Sequence, residues 1–102
     1  MSFYEELYRF PKEKEAIISH LNAFFEGDDG LLSILKEHKI MEAMGKGFIH
    51  EVDTEEGVGQ TIGVILATEL PSTVSDGDKL ALFLKLRRAL LTLGSPPSED
   101  CQ

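Results

Sequence analysis

The chain has 102 residues, with ten Lys and Arg against eighteen Asp and Glu and a formal net charge of -8. A chain of this length encloses one hydrophobic core and does not divide into two stable domains. Its excess of acid disfavours a nucleic-acid binder, which needs clustered cations to neutralise phosphates. The single cysteine, Cys101, excludes an intrachain disulfide framework and a cysteine-rich metal site.

Ser2 followed by Glu5 has the spacing of a capping box and predicts a short opening helix through Leu7 and Tyr8, limited by Pro11. These first residues lack the basic and apolar regions of a secretory signal. Ile17, Ile18, Leu21, Phe24 and Phe25 then recur at spacings of three and four, which predicts a helix from about residue 11 to 26. The turn sequence Gly27-Asp28-Asp29-Gly30 follows. Leu31, Ile34, Leu35, Ile40, Met41 and Met44 predict another helix, ending at Gly45, and the two helices are expected to form a hairpin.

Residues 46–70 admit two readings. Phe48–Val52 and Thr61–Thr68 are rich in β-branched residues and could form a β-hairpin, giving an α+β domain. Alternatively, Asp53-Thr54-Glu55-Glu56 caps a helix whose Val58, Ile62, Ile65, Leu66 and Leu70 share one face and which Pro71 closes. Glycine inside that helix costs about 1 kcal/mol per residue relative to alanine. Gly59, Gly63 and Ala67 stand four apart, however, and line one flank that a neighbouring backbone could approach closely. The helix is the favoured reading.

Ser75 and Asp78 predict the start of a last helix that runs to Leu93 and stops at Gly94. Its leucines occupy more than one side, more than a stripe facing a single core requires. The run from Leu80 to Leu93 is the most apolar in the chain, but Lys85, Arg87 and Arg88 interrupt it well short of the ~20 residues of a membrane span. Residues 95–102 have no apolar periodicity and read as a disordered tail. Asp29–Gly45 can also be laid over Asp78–Gly94, which matches Leu35 with Leu84 and Lys39 with Arg88 and suggests two related hairpins. The expected architecture is an all-α bundle of four to five helices over residues 1–94, in a soluble cytoplasmic protein.

Candidate chemistry is sparse. Gly57-x-Gly59-x-x-x-Gly63 has the glycine density of a dinucleotide loop, yet a further helix follows where a second parallel strand belongs. His20 lies at the edge of a helical stripe, His38 sits beside Glu37 and Lys39 on a solvated face, and none of the histidines has zinc-helix spacing. His50 with Glu51 and Asp53 could form an acid–base or hard-ligand group if the three share a face. The acids at Glu26–Asp29 and Asp53–Glu56 fail the spacing of a calcium loop. No nucleophile elbow is present. Neither a cofactor nor a metal is expected.

These observations point to a noncatalytic interaction module, acting as regulator, adaptor or assembly factor through a homodimer or another protein partner. Leu82, Phe83, Leu84, Leu86 and Leu90 are the expected contact. A different reading takes the cation-free residues 47–78 as an acidic face that binds a basic protein surface, carried by Glu51, Asp53, Glu55, Glu56, Glu69, Asp76 and Asp78. A third is a small-ligand, metal or enzymatic site built on His50 and its neighbouring acids. The fold question has a direct check: a far-UV circular dichroism spectrum should show helix alone, and a strand contribution would favour the hairpin.

Overall fold

A computed structural model of the chain describes residues 13–48 and 54–94, and among these it contains five α-helices and no strand. Most of the helix starts are set by side-chain oxygens that accept otherwise unpaired amide protons. Thr54 Oγ1 accepts from Gly57 N–H at 3.0 Å and opens α4, Glu55–Glu69. Ser75 Oγ accepts from Asp78 N–H at 3.1 Å and opens α5, Asp76–Gly94. Asp28 Oδ1 accepts from Leu31 N–H at a longer 3.5 Å and opens α2, Asp29–Glu37. The remaining helices are α1, Lys14–Phe24, and α3, Ile40–Phe48.

The contested region is therefore helical where it is described. Thr61–Thr68 lies inside α4, and Val58, Ile62 and Leu66 enter the core from successive turns of one helical face. Phe48 ends α3 rather than starting a strand. The expected helix over Ser2–Tyr8, the tail 95–102 and the residues His50, Glu51 and Asp53 lie outside the described residues.

The single helix expected from Leu31 to Gly45 is two. The chain breaks at His38 and Lys39, and Lys39 takes a left-handed φ of 56°. The reason lies in the spacing of five between Leu35 and Ile40. In one straight helix these residues would point about 140° apart, at 3.6 residues per turn. The break turns the second apolar stripe relative to the first, so that Leu35, Ile40 and Met44 all reach one core with no exposed surface. The equivalent half of the proposed repeat, α5, runs through Arg88 unbroken, and Leu84 is exposed where its counterpart Leu35 is enclosed. The sequence echo does not extend to how the side chains are used.

Helices α1 and α4 each pack against both α3 and α5, closing a ring of four, while α2 rests on α3 and α5. One contiguous core fills the ring, built from Ile17, Leu21 and Phe25, from Ile40, Met44 and Phe48, from Val58, Ile62 and Leu66, and from Leu82, Leu86 and Leu90, with Leu35 at its edge. No polar or charged residue is buried among the described residues.

The close backbone approach anticipated along Gly59, Gly63 and Ala67 occurs elsewhere. An added Cβ at Gly59 would meet only the end of Phe83 at 3.8 Å and Arg87 Nε at 3.9 Å, and one at Gly63 would meet nothing. At Gly45 the same atom would stand 3.0 Å from Lys14 Cβ and 3.3 Å from the Lys14 carbonyl oxygen. Here α1 and α3 cross so closely that a methyl group would push the Lys14 backbone aside by a few tenths of an ångström.

Three substitutions follow with opposite signs, all measurable by urea unfolding. Gly45→Ala should lose about 1–3 kcal/mol by forcing α1 and α3 apart. Gly63→Ala should gain about 0.5–1 kcal/mol, because the new methyl enters open space on a helix. Lys39→Gly should gain about 0.5–1 kcal/mol by removing a Cβ from a left-handed position.

Candidate interaction surface

α5 is apolar on opposite sides. Its inner side consists of Leu82, Leu86, Ala89 and Leu90, none of which has exposed surface. Of the residues expected from sequence to form a contact, Leu82, Leu86 and Leu90 are enclosed in the chain's own core. Phe83 is half-buried and lies over Gly59, which closes the flank between α5 and α4. The outer side carries Leu80, 59% exposed, and Leu84, 54% exposed. Leu84 follows Leu80 by four positions and precedes the half-buried Leu91 by seven, one turn and two turns of helix, so the three leucines share a line. Around that line Leu84, Arg87, Arg88, Leu91 and Thr92 border a shallow hollow of about 350 Å³.

Polar contacts fix which way this helix is turned. Arg87 Nη2 donates to Glu55 Oε2 at 2.7 Å and ties α5 to the start of α4. On the other flank Lys85 Nζ donates to Asp28 Oδ2 at 3.1 Å and sits 5.0 Å from the centre of the Phe25 ring, so one ammonium engages both the cap of α2 and an aromatic face. His20 Nε2 donates to the Ala89 carbonyl oxygen at 2.9 Å, joining α1 to α5. These histidine and lysine roles are structural. His38 ends α2, where its amide donates to the Ile34 carbonyl at 3.1 Å.

A second open apolar feature lies between α3 and α4. Ala43, Gly47, Thr61, Val64 and Ile65 floor a groove of about 630 Å³ rimmed by Lys46, Gln60 and Glu69. Val64 is 66% exposed there. Gly47 keeps the groove open at one edge, since a Cβ at that position would stand 3.0 Å from Ile65 Cδ1. Sequence reading missed both Val64 and Leu80. The fourfold spacing of Leu80 and Leu84 was the available signal for Leu80, whereas Val64 stands among Gln60, Thr61, Ala67 and Thr68 at helical spacing, with no apolar periodicity to mark it.

The described acidic residues of the expected face do not gather. Glu55 and Glu56 stand at the amino end of α4, with Glu55 held by Arg87, while Glu69, Asp76 and Asp78 surround the turn at the opposite end of the α4–α5 hairpin. The length of α4 separates the two groups by about 20 Å at 1.5 Å per residue. Of the acids assigned to a single face, Glu51 and Asp53 lie outside the described residues. Among the described residues no three His, Cys, Asp or Glu stand together as a metal site, and no helix is long and apolar enough to cross a membrane. The Gly57–Gly63 stretch is wound into α4, with the Gly57 amide already capped by Thr54 and Gly59 beneath Phe83, so no glycine loop is open to a pyrophosphate.

No protein-family model, curated protein or solved structure matches the chain.

The two sides of α5 should respond differently to truncation. Leu86→Ala removes a fully enclosed side chain and should cost about 2–5 kcal/mol of stability. Leu84→Ala should change stability by less than about 0.5 kcal/mol. Thermal and denaturant unfolding of the two variants compares them directly, and equal losses would mean that the helix is turned differently.

Proposed function

We propose that this chain is a cytoplasmic, noncatalytic protein–protein interaction module, a regulator, adaptor or assembly factor that presents the outer side of α5 to another polypeptide. The observation that carries the reading is the pair Leu80 and Leu84, aligned on one turn and each more than half exposed on a helix whose inner leucines already fill the core. Complete burial of a leucine is worth about 1.5–3 kcal/mol, so an incoming apolar helix gains a substantial part of that at each position. The rim suits such a contact. Arg87 and Lys85 are held by intramolecular ion pairs and keep the flanks rigid, while the exposed Arg88 stands beside the leucines. Aligned apolar anchors bordered by charge are the usual anatomy of a helix-binding face.

The test is photo-crosslinking in cells. A photoreactive amino acid at Leu84 should yield a discrete protein adduct, and the same group at the exposed Glu37 on α2 should not. Adding Leu80→Asp should abolish the adduct while leaving the circular dichroism spectrum unchanged. Absence of any discrete adduct at Leu84, in cells where the protein accumulates in folded form, would remove the reading.

A further inference from the structure

We infer that the groove between α3 and α4 is the docking site of the chain's own residues 1–12, with Phe3, Leu7 and Phe10 covering Val64 and Ile65.

The place where those residues join the described chain is the first observation. The groove continues into a second hollow of about 540 Å³, with Ala43, Lys46 and Glu69 bordering both and Glu42 on the wall of the second. Glu42 is also the partner of Lys14, the first residue of α1, whose Nζ donates to Glu42 Oε1 at 3.2 Å. Around α3, Gly45 faces α1; the exposed Glu42 and Lys46 come next; Ala43 and Gly47 then face the groove. A segment leaving Lys14 has only the outer face of α3 to cross.

The composition of residues 1–12 is the second. They hold Phe3, Tyr4, Tyr8 and Phe10, four of the chain's eight aromatic residues, together with Leu7. On the helix that Ser2 and Glu5 predict, Phe3, Leu7 and Phe10 fall within about 60° of one another, with the tyrosines beside them and Glu5, Glu6 and Arg9 on the remaining side. Such a stripe is stabilised by covering an apolar surface. Charge agrees with the groove as that surface. Lys39 and Lys46 stand exposed on its rim without an ion pair to a described residue, and Glu5 and Glu6 supply the opposite sign.

Reach separates the groove from the outer line of α5. His20 meets the Ala89 carbonyl and Phe25 meets Lys85, so α1 and α5 run antiparallel and Leu84 lies level with the far end of α1. Lys14 and Phe25 are about 16 Å apart along α1, at 1.5 Å per residue. The four residue steps from Phe10 to Lys14 extend to about 14 Å at most, enough to cross one helix about 10 Å wide and short of Leu84. Tethering also strengthens a small contact, because a short linker holds a segment near its site at an effective concentration of the order of 1 mM. With the groove covered from within, the outer line of α5 is left as the apolar surface open to another polypeptide.

The purified full chain tests this with a photoreactive amino acid in place of Val64, whose side chain is 66% exposed and outside the core. Irradiation should give a monomeric product in which, after cleavage at Arg9, the peptide containing position 64 carries residues 1–9. Its yield should not change on tenfold dilution, and the same group at Leu84 should not capture that peptide. Phe3→Asp combined with Leu7→Asp should lower the adduct at position 64 by about tenfold or more, since two apolar anchors become charged. Cooperative urea unfolding of that variant establishes that its core is intact. An absence of the 1–9 adduct at position 64, equal capture at position 84, or a yield that survives the double substitution overturns the inference. So does an adduct found only in a dimeric product, which would assign the segment to the groove of a second copy.

Discussion

A column of three leucines on α5, Leu82, Leu86 and Leu90, sets the rotation of the helix against which α1, α2 and α4 all rest. Their spacing of four places them on one side, and enclosing that side leaves no choice about what faces outward. Leu80, Leu84 and Arg88 are turned to solvent because the inner column is satisfied first. The flanking contacts then lock the rotation: Arg87 to Glu55 on one side, Lys85 to Asp28 and Phe25 on the other, with His20 reaching the Ala89 carbonyl between them. Each such contact is worth about 1 kcal/mol or less at these exposures. Their effect is on orientation more than on total stability, which comes from the core.

The first half of the chain meets a different constraint. Its apolar residues would run around a single helix instead of along it, because Leu35 and Ile40 are five apart. The break at Lys39 resolves this by placing a non-glycine residue in the left-handed region, an arrangement that costs about 1–2 kcal/mol locally. In return α3 is freed to cross α1 at Gly45, where the missing side chain permits contact with the Lys14 backbone. The second half has no such conflict in α5, and so a sequence of similar apolar content stays in one piece. Two hairpins of comparable composition thus reach different solutions from one difference in spacing.

The arrangement of polar groups bears on function in the same way. His20, Lys14, Lys85 and Arg87 join one helix or its cap to another, and the described acids of residues 47–78 are divided between the ends of the α4–α5 hairpin instead of forming one face. What the surface offers in concentrated form is apolar: the outer line of α5 and the groove beside Val64. This is why an interaction reading draws more support than a charged antagonist, whose seven acids would have to converge.

Much of this was legible from the sequence alone, and for a local reason. Helical periodicity, the caps at Thr54 and Ser75 and the stops at Pro71 and Gly94 are encoded within a few residues of where they act, so the all-helical class and the reach of α4 and α5 could be read in advance. The excess of leucine on α5 was legible too. Which of those leucines would be enclosed was not, because that depends on where α1, α2 and α4 stand. The same holds for the glycines: sequence showed an orderly row at Gly59 and Gly63, yet among the described glycines the one that approaches another helix's backbone is Gly45. Composition and spacing determined that helices form and which residues can share a side; only tertiary packing decided which side is inside, since burial is a property of neighbours that are distant in the chain.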